Sequence, residues 1–373
     1  MSGDADALTL FLCGDVMTGR GIDQVLPHPN NPRIYEPYMK TAEGYVEIAE
    51  QKNGLIEKPA AFSYLWGDAL TDLERRAVDV RIINLETAVT ESGDYWQGKG
   101  INYRMHPDNI SCITALGVNC CVLANNHVLD WGYAGLAETL QTLEKANLKG
   151  VGAGTDRRRA AEPAVIEVDG KGRVIVFSFA CESSGVPPVW AATDNRPGVN
   201  FLVDVSGGTV RNIAKHVRRL KREIDVVVAS IHWGGNWGYA IPREHRDFAH
   251  QLIDEAGVDI VHGHSSHHPK GIEVYRDKPI FYGCGDFLND YEGIAGYEEY
   301  RGDLALMYFV RMNRVNGILS SLEMVPLQIR RFRLNGAAES DAKWLKETLD
   351  RESRKLGTRV EMSGNDNLEL RWD

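Results

Sequence analysis

The sequence predicts an α/β fold built from layered sheets, and two observations support this fold class. Short apolar runs typical of buried strands alternate with helix-compatible segments over roughly the first 270 residues. Closer to the C-terminus, two strand-like runs at 304–312 and 321–329 indicate a closing hairpin and therefore antiparallel edges. Alternation of this kind is typical of domains in which helices cover the faces of mostly parallel sheets.

The strands and helices follow in chain order. Strands are predicted at 8–13, 80–86, 119–123, 164–168, 174–180, 226–231, 272–275, 279–282, 304–312 and 321–329. Helices are predicted at about 42–52, 65–77, 107–116, 135–146, 210–223, 244–256 and 341–355, and a glycine-rich turn at 150–155. We expect one domain over 1–334, with irregular insertions at about 23–63 and 185–197, and a helical extension over 335–373. The insertions are expected to cover the functional site and to select its substrate.

Composition narrows the function classes. The 373 residues are 43% hydrophobic and 25% charged, as in ordinary globular proteins. The formal net charge of −10 argues against nucleic acid as a general partner, although cations lining a site would still admit an anionic substrate. No segment resembles a secretory signal or a membrane span of ~20 apolar residues, so we expect a cytoplasmic protein. Six scattered cysteines without a CxxC pair are expected to be buried free thiols.

A concentration of histidines marks the first candidate site. Four of the eleven histidines, His262, His264, His267 and His268, fall within seven positions that follow an apolar run. Imidazole is a common metal ligand, and two ligands a few residues apart on a loop can face one ion or two adjacent ions. Taken alone, the segment could also be a polar loop with its histidines in solvent.

Four other strand ends carry matching polar residues. Including the histidine segment, the candidate ligands in chain order are Asp15, Glu86, Asn126 with the adjacent His127, His232, and His264 with His267. Ligand sites of α/β sheets collect beyond the carboxyl ends of the strands. A carboxylate, an amide and imidazoles together favour Mn, Fe or Zn over Ca, and Glu86 is our choice for a carboxylate that bridges two ions.

Each strand end also has a simpler interpretation. Asp15 alone could cap a helix, Glu86 could pair with an arginine, and Asn126 could be a turn residue. His232 beside Trp233 could be a packed core histidine. Because all of these interpretations would have to hold together, we favour the metal site. Asp286 and Asn289 follow a further strand end and could orient the histidine ligands by hydrogen bonds from the side opposite the metal.

The ordered motifs resemble one known family. They are Gly14-Asp15-Val16-Met17-Thr18-Gly19-Arg20, Asn84-Leu85-Glu86-Thr87, residues 124–132 (Ala-Asn-Asn-His-Val-Leu-Asp-Trp-Gly), His232-Trp233-Gly234, Gly263-His264 and residues 279–287 (Pro-Ile-Phe-Tyr-Gly-Cys-Gly-Asp-Phe). Together they resemble the CapA/PgsA family of poly-γ-glutamate capsule biosynthesis proteins, within the calcineurin-like metallophosphoesterase superfamily. The resemblance covers roughly residues 8 to 330.

The resemblance implies a fold and a set of roles. The fold would be a four-layer α/β/β/α sandwich of the metallophosphoesterase type, with 1–334 as the CapA-type domain. One metal would be held by Asp15, Glu86 and His267, and the other by Glu86, Asn126, His232 and His264. His127 would protonate the leaving group or contact the phosphoryl oxygen, and Arg20 would pair with a substrate anion.

The sequence departs from the superfamily pattern at three places. Met17 stands where the superfamily has the histidine of Asp-x-His, so one ion loses an imidazole and the count is one or two. Glu86 replaces the usual bridging aspartate, as in the CapA group. The loop after Gly263 lacks the family's proline, which makes His268 a rival to His267 as the second loop ligand.

The expected function is that of a metal-dependent hydrolase using a divalent ion, with manganese, iron and zinc as candidates. A metal-bound hydroxide would attack a phosphoester or amide centre of a small-molecule or polymer substrate that is anionic. One alternative is a non-catalytic accessory component of poly-γ-glutamate or related amide-polymer synthesis. Another is a metal-dependent amide or γ-glutamyl hydrolase. The residues leave the oligomeric state open.

Overall fold

The computed structural model describes residues 7–373 of the chain. Its strands are β1 (Ala7–Val16), β2 (Val80–Leu85), β3 (Ala88–Val89), β4 (Arg104–Met105), β5 (Cys120–Val122), β6 (Lys149–Val151), β7 (Ala153–Gly154), β8 (Ala164–Val168), β9 (Gly172–Cys181), β10 (Gly198–Val199), β11 (Phe201–Leu202), β12 (Val226–His232), β13 (Ile260–His264), β14 (Ile272–Tyr275), β15 (Lys278–Phe281), β16 (Asp286–Leu288), β17 (Leu304–Asn313), β18 (Ile318–Ile329), β19 (Leu334–Gly336), β20 (Arg359–Met362) and β21 (Leu368–Arg371). Its α-helices are α1 (Arg20–Val25), α2 (Glu43–Asn53), α3 (Gly67–Arg75), α4 (Ser111–Ala115), α5 (Gly132–Lys145), α6 (Arg157–Ala161), α7 (Gly207–Leu220), α8 (Arg243–Asp254) and α9 (Glu339–Arg354).

Two large sheets form the centre of the molecule. The first runs in the order β20-β21-β18-β17-β1-β2-β5-β6, with β16 paired to the end of β1 and β19 to β18. The second runs in the order β11-β9-β12-β13-β15-β14, with β8 paired to β9. Strands β1, β2 and β5 are parallel, and so are β9, β12 and β13. Within each sheet these strands therefore end at the same edge, where polar residues that follow them can meet.

The side chains of each central strand alternate between two cores, as the period of a strand requires. In β12, Val226 and Val228 lie in the core between the two sheets, together with Leu10 and Leu12 of β1. The intervening Val227 packs instead into an outer core that contains apolar residues of α7 and α8. The opposite face of the first sheet contributes to another outer core, shared with residues of α1 to α5. Helix, sheet, sheet and helix follow one another, which confirms the predicted four-layer α/β/β/α sandwich.

Two local expectations are wrong. The glycine-rich segment predicted as a turn forms β6 and β7, and only Gly152, with φ of +93°, breaks the strand between them. Ser178 lies so close to Gly152 that a Cβ atom would clash with it. The histidine segment predicted as a loop begins inside β13, which contains both His262 and His264.

The C-terminal segment joins the body of the protein. Leu345 and Leu349 of α9 lie in the core between the sheets, and β21 pairs with β18. The segment 335–373 thus contains strands as well as the expected helix, and the division at residue 334 stays a prediction. All six cysteines are buried and free. Between Ala7 and Asp373 no helix has the length and apolar character needed to cross a membrane.

Candidate metal centre

The sheet edges bring the predicted ligands together. Asp15 lies near the end of β1, in register with Asn84 of β2 and with Asp286 of β16. Glu86 follows β2 directly. His232 and His264 are the last residues of two parallel strands, β12 and β13, and stand opposite each other in register. The predicted convergence of distant strand ends is therefore built from strand pairing.

Short distances join five of the predicted ligands. His232 Nε2 lies 3.0 Å from Asn126 Oδ1 and 3.6 Å from Glu86 Oε1. His264 Nδ1 lies 2.7 Å from His232 Nδ1 and 3.9 Å from Asp15 Oδ1. Candidate ligand atoms of Asp15, His232 and His264 all lie within 4.8 Å of one another. Asn126 Oδ1 and Glu86 Oε1 offer lone pairs toward the same imidazole, so a cation is a natural partner for the group.

Two buried amides tie these strand ends into a rigid frame. Asn84 donates from Nδ2 to Asp15 Oδ1 at 2.7 Å, and Asn125 donates from Nδ2 to Asn84 Oδ1 at 3.0 Å. Asn125 Oδ1 in turn accepts from the backbone N–H groups of His127 and Val128 at 3.1 and 3.0 Å. In the sequence, Asn125 is marked only as part of the motif at 124–132. The structure gives it the further role of fixing the turn that presents Asn126 and His127.

A relay of hydrogen bonds sets the tautomer of His264. The carbonyl of Cys13 can only accept, so the 2.8 Å contact requires His262 Nε2 to donate. Burial lowers the pKa of His262 to about 4, so its Nδ1 is unprotonated and accepts from the Ser230 hydroxyl at 3.0 Å. Ser230 Oγ is then free to accept from His264 Nε2 at 2.8 Å. Because burial also lowers the pKa of His264 well below its usual value, its Nδ1 is left with a lone pair directed at the site.

A second group of ligand atoms adjoins the first. Asp15, His267 and Asp286 present ligand atoms within 4.8 Å of one another, and His267 Nδ1 lies 2.9 Å from Asp286 Oδ1. Asn289 donates from Nδ2 to Asp286 Oδ2 at 2.8 Å. Sequence reasoning placed Asp286 only behind the histidines. Its position after a strand end, the same signal that marked Asp15, would have identified it as a candidate ligand.

The rival histidine points elsewhere. The ring of His268 stacks on Tyr300 at a centroid distance of 4.6 Å and lies edge-on to Tyr239, also at 4.6 Å. Its Nδ1 contacts the carbonyl of Pro269 at 3.2 Å. Of the two neighbouring histidines, His267 is the one whose ring contacts the cluster of carboxylates.

Electrostatics of the cluster indicate a missing positive charge. Burial, and then repulsion by Asp286, raise the pKa of Asp15 to about 7. Burial and the charges of Asp15 and Asp286 raise the pKa of Glu86 well above its usual range. Burial lowers the pKa of His232 well below its usual value. Burial opposes a charge on His267, but Asp286 raises the pKa of that imidazole above its usual value. The buried carboxylates of Asp15 and Glu86 beside the neutral imidazole of His232 are what a divalent cation would satisfy, so these residues fit the metal implied by the family resemblance.

His127 stands beside the cluster rather than in it. Its Nδ1 lies 2.6 Å from Asp130 Oδ2 and 2.9 Å from Lys99 Nζ, while its Nε2 faces Glu86 Oε1 at 3.9 Å. Tyr103 stacks on the ring at a centroid distance of 3.9 Å. Burial lowers the pKa of His127 to about 4, against the opposing effect of Asp130. The sequence analysis did not identify Asp130 and Lys99 as partners of His127. Asp130 stands three residues after His127 within the quoted motif, so the motif could have indicated it, whereas Lys99 lies in an irregular segment without a recognisable pattern.

Arg20 lies behind His127 and is already paired. Its guanidinium bonds to Glu36 at 2.8 Å and to Asp290, and it lies 4.7 Å from the ring centroid of Tyr103. The side chain is about 1% exposed. Tyr103 separates Arg20 from His127, so the contact with a substrate anion implied by the resemblance has no direct path in this arrangement.

Fold and site together define a four-layer α/β protein with a candidate metal centre at the ends of its strands. The chain belongs to the bacterial capsule synthesis protein PGA_cap family, which it matches over residues 9–291. This membership confirms the resemblance drawn from the sequence motifs.

Several known proteins are similar to the chain. A probable polyglutamine synthesis accessory protein of Mycobacterium tuberculosis is 49% identical over 369 residues, which covers 99% of this chain and 97% of that protein. The PGA biosynthesis protein CapA of Bacillus subtilis is 28% identical over 325 residues, 87% of this chain and 72% of that protein. Among solved structures, a phosphatase of Mycoplasma pneumoniae aligns with a TM-score of 0.47 at 12% identity, covering 86% of this chain and 94% of that one.

Proposed function

We propose that the protein is a metal-dependent hydrolase acting on a phosphoester or amide bond. The observation that carries the proposal is the convergence of Asp15, Glu86, Asn126, His232 and His264 at the ends of five strands, in a buried cluster of ligand atoms without a positive charge among them. Manganese, iron and zinc all suit this ligand set.

The ligands divide into two groups that share Asp15. Asn126, His232 and His264 would hold one ion, while His267 and Asp286 would hold the other, with Glu86 between them. Asp286 takes the place of the imidazole that Met17 does not supply. A bound divalent cation would polarise the scissile group and lower the pKa of a water molecule.

His127 would act on the leaving group through Nε2. Its Nδ1 is occupied by Asp130 and Lys99, so Nε2 is the atom that can meet a substrate. Asp130 orients the ring and stabilises its charged form, while the stacked Tyr103 keeps water from that side. Arg20 acts through Tyr103 as a positioning residue, because its charge is taken up by Glu36 and Asp290.

The test combines metal analysis with turnover. We expect the purified protein to retain Mn, Fe or Zn, measured by mass spectrometry, and to hydrolyse a nitrophenyl phosphate diester, a monoester or a γ-glutamyl anilide once Mn²⁺ is added. His232→Ala and His264→Ala should each lower the metal content. His268→Ala is the matched control, because it removes a histidine of the same segment that stacks on Tyr300. Wild-type protein with neither metal nor turnover would contradict the proposal.

A second candidate function is an accessory, non-catalytic role in the synthesis of an amide-linked polymer. It is favoured by the relative from Mycobacterium tuberculosis, which is named a probable polyglutamine synthesis accessory protein. This role predicts stoichiometric binding to a synthase or to an anionic polymer, with metal bound and no turnover on any of the three test substrates. Affinity purification from the native cell that recovers neither partner would count against it.

A further inference from the structure

A cavity of about 650 Å³ is lined in part by Lys99, the lysine that contacts His127. One wall comes from the insertion predicted to cover the site and includes Arg33, Tyr35 and Lys40. The other wall comes from the segment between β3 and β4 and includes Tyr95 and Lys99. The volume falls in the range of ordinary ligand sites.

The charge of the cavity is opposite to that of the protein. Arg33, Lys40 and Lys99 line it without any acidic side chain, in a chain whose net charge is −10. Arg33 and Lys40 are exposed, and within residues 7–373 neither of them forms an ion pair. Lys40 donates only to the backbone carbonyl of Glu36, at 2.5 Å, and Arg33 lies 5.3 Å from the ring centroid of Tyr35. Cations without carboxylate partners around a concave surface attract anions.

A pair of aromatic rings gives this cavity a rigid wall. Tyr35 and Tyr95 stack with their ring centroids 3.7 Å apart and their planes 10° from parallel. The stack lies against Trp131, whose ring centroid is 6.2 Å from that of Tyr35. The two sides of the cavity are thereby held together by packing, and the apolar rings can contact the carbon chain of a ligand whose charges face the cations.

Lys99 connects the cavity to the candidate reaction centre. It lines the cavity, and its Nζ contacts both Asp130 and His127 Nδ1, the latter at 2.9 Å. On the other side of the ring, His127 Nε2 faces Glu86 Oε1. Lys99 therefore links the cavity to the imidazole whose Nε2 faces Glu86.

We propose that this cavity is a binding subsite for an anionic group of the substrate, a carboxylate or a phosphate, located away from the bond that is cleaved. Arg33 and Lys40 provide the charge and the stacked tyrosines contact the intervening carbon chain. Lys99, whose charge is paired with Asp130, lies between the cavity and His127. The subsite rests on the proposed hydrolase function, since it places part of a substrate beside His127.

The test is calorimetric titration of the full-length protein, as purified, with three probes: acetylated tetraglutamate, tripolyphosphate and acetylated tetraglutamine. The variant Arg33→Gln/Lys40→Gln removes two cations of the cavity. Its control, Arg243→Gln/Lys343→Gln, removes the same charges from exposed positions on α8 and α9. Any anion bound by a metal contributes equally to all three proteins, so differences between them report on the cavity.

We expect the cavity variant to bind an anionic probe about 4- to 25-fold more weakly than wild type, since each exposed cation contributes about two- to fivefold at low salt. The control should stay within about twofold, and tetraglutamine should not bind. The anionic probe that binds more tightly to wild type identifies the anion as carboxylate or phosphate. Equal weakening in both variants, or unchanged binding in the cavity variant, would overturn the subsite.

Metal content and hydrolysis of the nitrophenyl diester, the monoester and the γ-glutamyl anilide are measured on the same proteins to separate the two proposals. Probe binding lost in the cavity variant, with no hydrolysis by wild type, would retain the subsite and reject the hydrolase. Diester hydrolysis by wild type, with probe binding unchanged in the cavity variant, would retain the hydrolase and reject the subsite.

Discussion

Replacing Glu86 with glutamine should stabilise the metal-free protein while removing its affinity for metal. Three carboxylates, Asp15, Glu86 and Asp286, are buried at the site, and burial, followed by repulsion between carboxylates, raises the pKa of the first two. For Asp15 the rise from 3.8 to about 7 corresponds to about 4 kcal/mol of destabilisation when the group is ionised, at 1.36 kcal/mol per pKa unit. Glu86→Gln keeps the volume and removes one charge. Burial and the charges of Asp15 and Asp286 make an ionised Glu86 unfavourable in its own right, so the neutral glutamine should raise the free energy of unfolding by about 1–3 kcal/mol.

The sign of the pH dependence follows from the raised pKa. Above about pH 7, Asp15 is ionised in both the folded and the unfolded protein, and the full cost of burying its charge is present. As the pH falls from about 7 towards the ordinary value of 3.8, the folded protein binds the proton first, so the cost is relieved. Metal-free wild type should thus gain stability on acidification through this window, and the advantage of the glutamine variant should shrink.

Urea unfolding followed by circular dichroism measures these differences at about pH 8 and about pH 5, in EDTA and in excess Mn²⁺. In Mn²⁺ the order should reverse, because a ligand at a thousandfold its Kd stabilises wild type by about 4.1 kcal/mol and the variant gains little. Glu347→Gln, at an exposed position of α9, is the charge-matched control and should change neither pH nor metal dependence. A glutamine variant less stable than wild type in EDTA at about pH 8 would refute the assignment of Glu86 to a repulsive, cation-deficient cluster.

Three further predictions concern the residues around the centre. Ser230→Ala breaks the relay that sets the tautomer of His264, so metal affinity, measured by competition with a chelating dye, should fall about 10- to 100-fold. An unchanged affinity would show that the relay does not influence metal binding. His127→Ala should leave metal content intact and lower kcat by about 10²–10⁴-fold, whereas loss of metal in this variant would make His127 a ligand. Arg20→Met leaves Glu36 and Asp290 as unpaired buried charges, so urea unfolding should show a loss of about 3–5 kcal/mol, and a stability close to wild type would contradict the buried pairing.

The sequence predicts the ligand set because each ligand follows an apolar strand. A run such as 226–231 predicts a buried strand, and the carboxyl ends of parallel strands must lie at one edge of their sheet. His232 and His264 are separated by 32 residues in sequence, yet their register in β12 and β13 follows from that rule. The same rule applies to Asp286, which also follows a predicted strand. We predicted that it supports the histidines, whereas its position after a strand makes it a candidate ligand.

Residues that lie in irregular segments could not be predicted. Lys99 comes from the segment between β3 and β4, whose path depends on packing against the insertion at 23–63 and carries no periodic pattern. Arg20 belonged to a quoted motif, but its partners Glu36 and Asp290 lie 16 and 270 residues away. A motif identifies such an arginine without indicating whether its charge faces a ligand or a buried carboxylate. Only the tertiary arrangement decides that question.

The candidate metal centre is built from paired strands, whereas the cavity is built from irregular segments. The proposed bond cleavage and the proposed selection of the substrate would therefore depend on different parts of the structure. Asp15, His232 and His264 are held by strand pairing, by buried amides and by the serine relay, so the metal centre is as rigid as the sheets. The cations of the cavity come from irregular segments, which tolerate change more readily than strands do. Anion binding in the proposed subsite would need no metal, whereas the proposed hydrolysis of an anionic substrate would use both parts. The hydrolase and the accessory role therefore use the same surface and differ in whether the bound anion is cleaved, which makes turnover by the metal-loaded protein the measurement that decides between them.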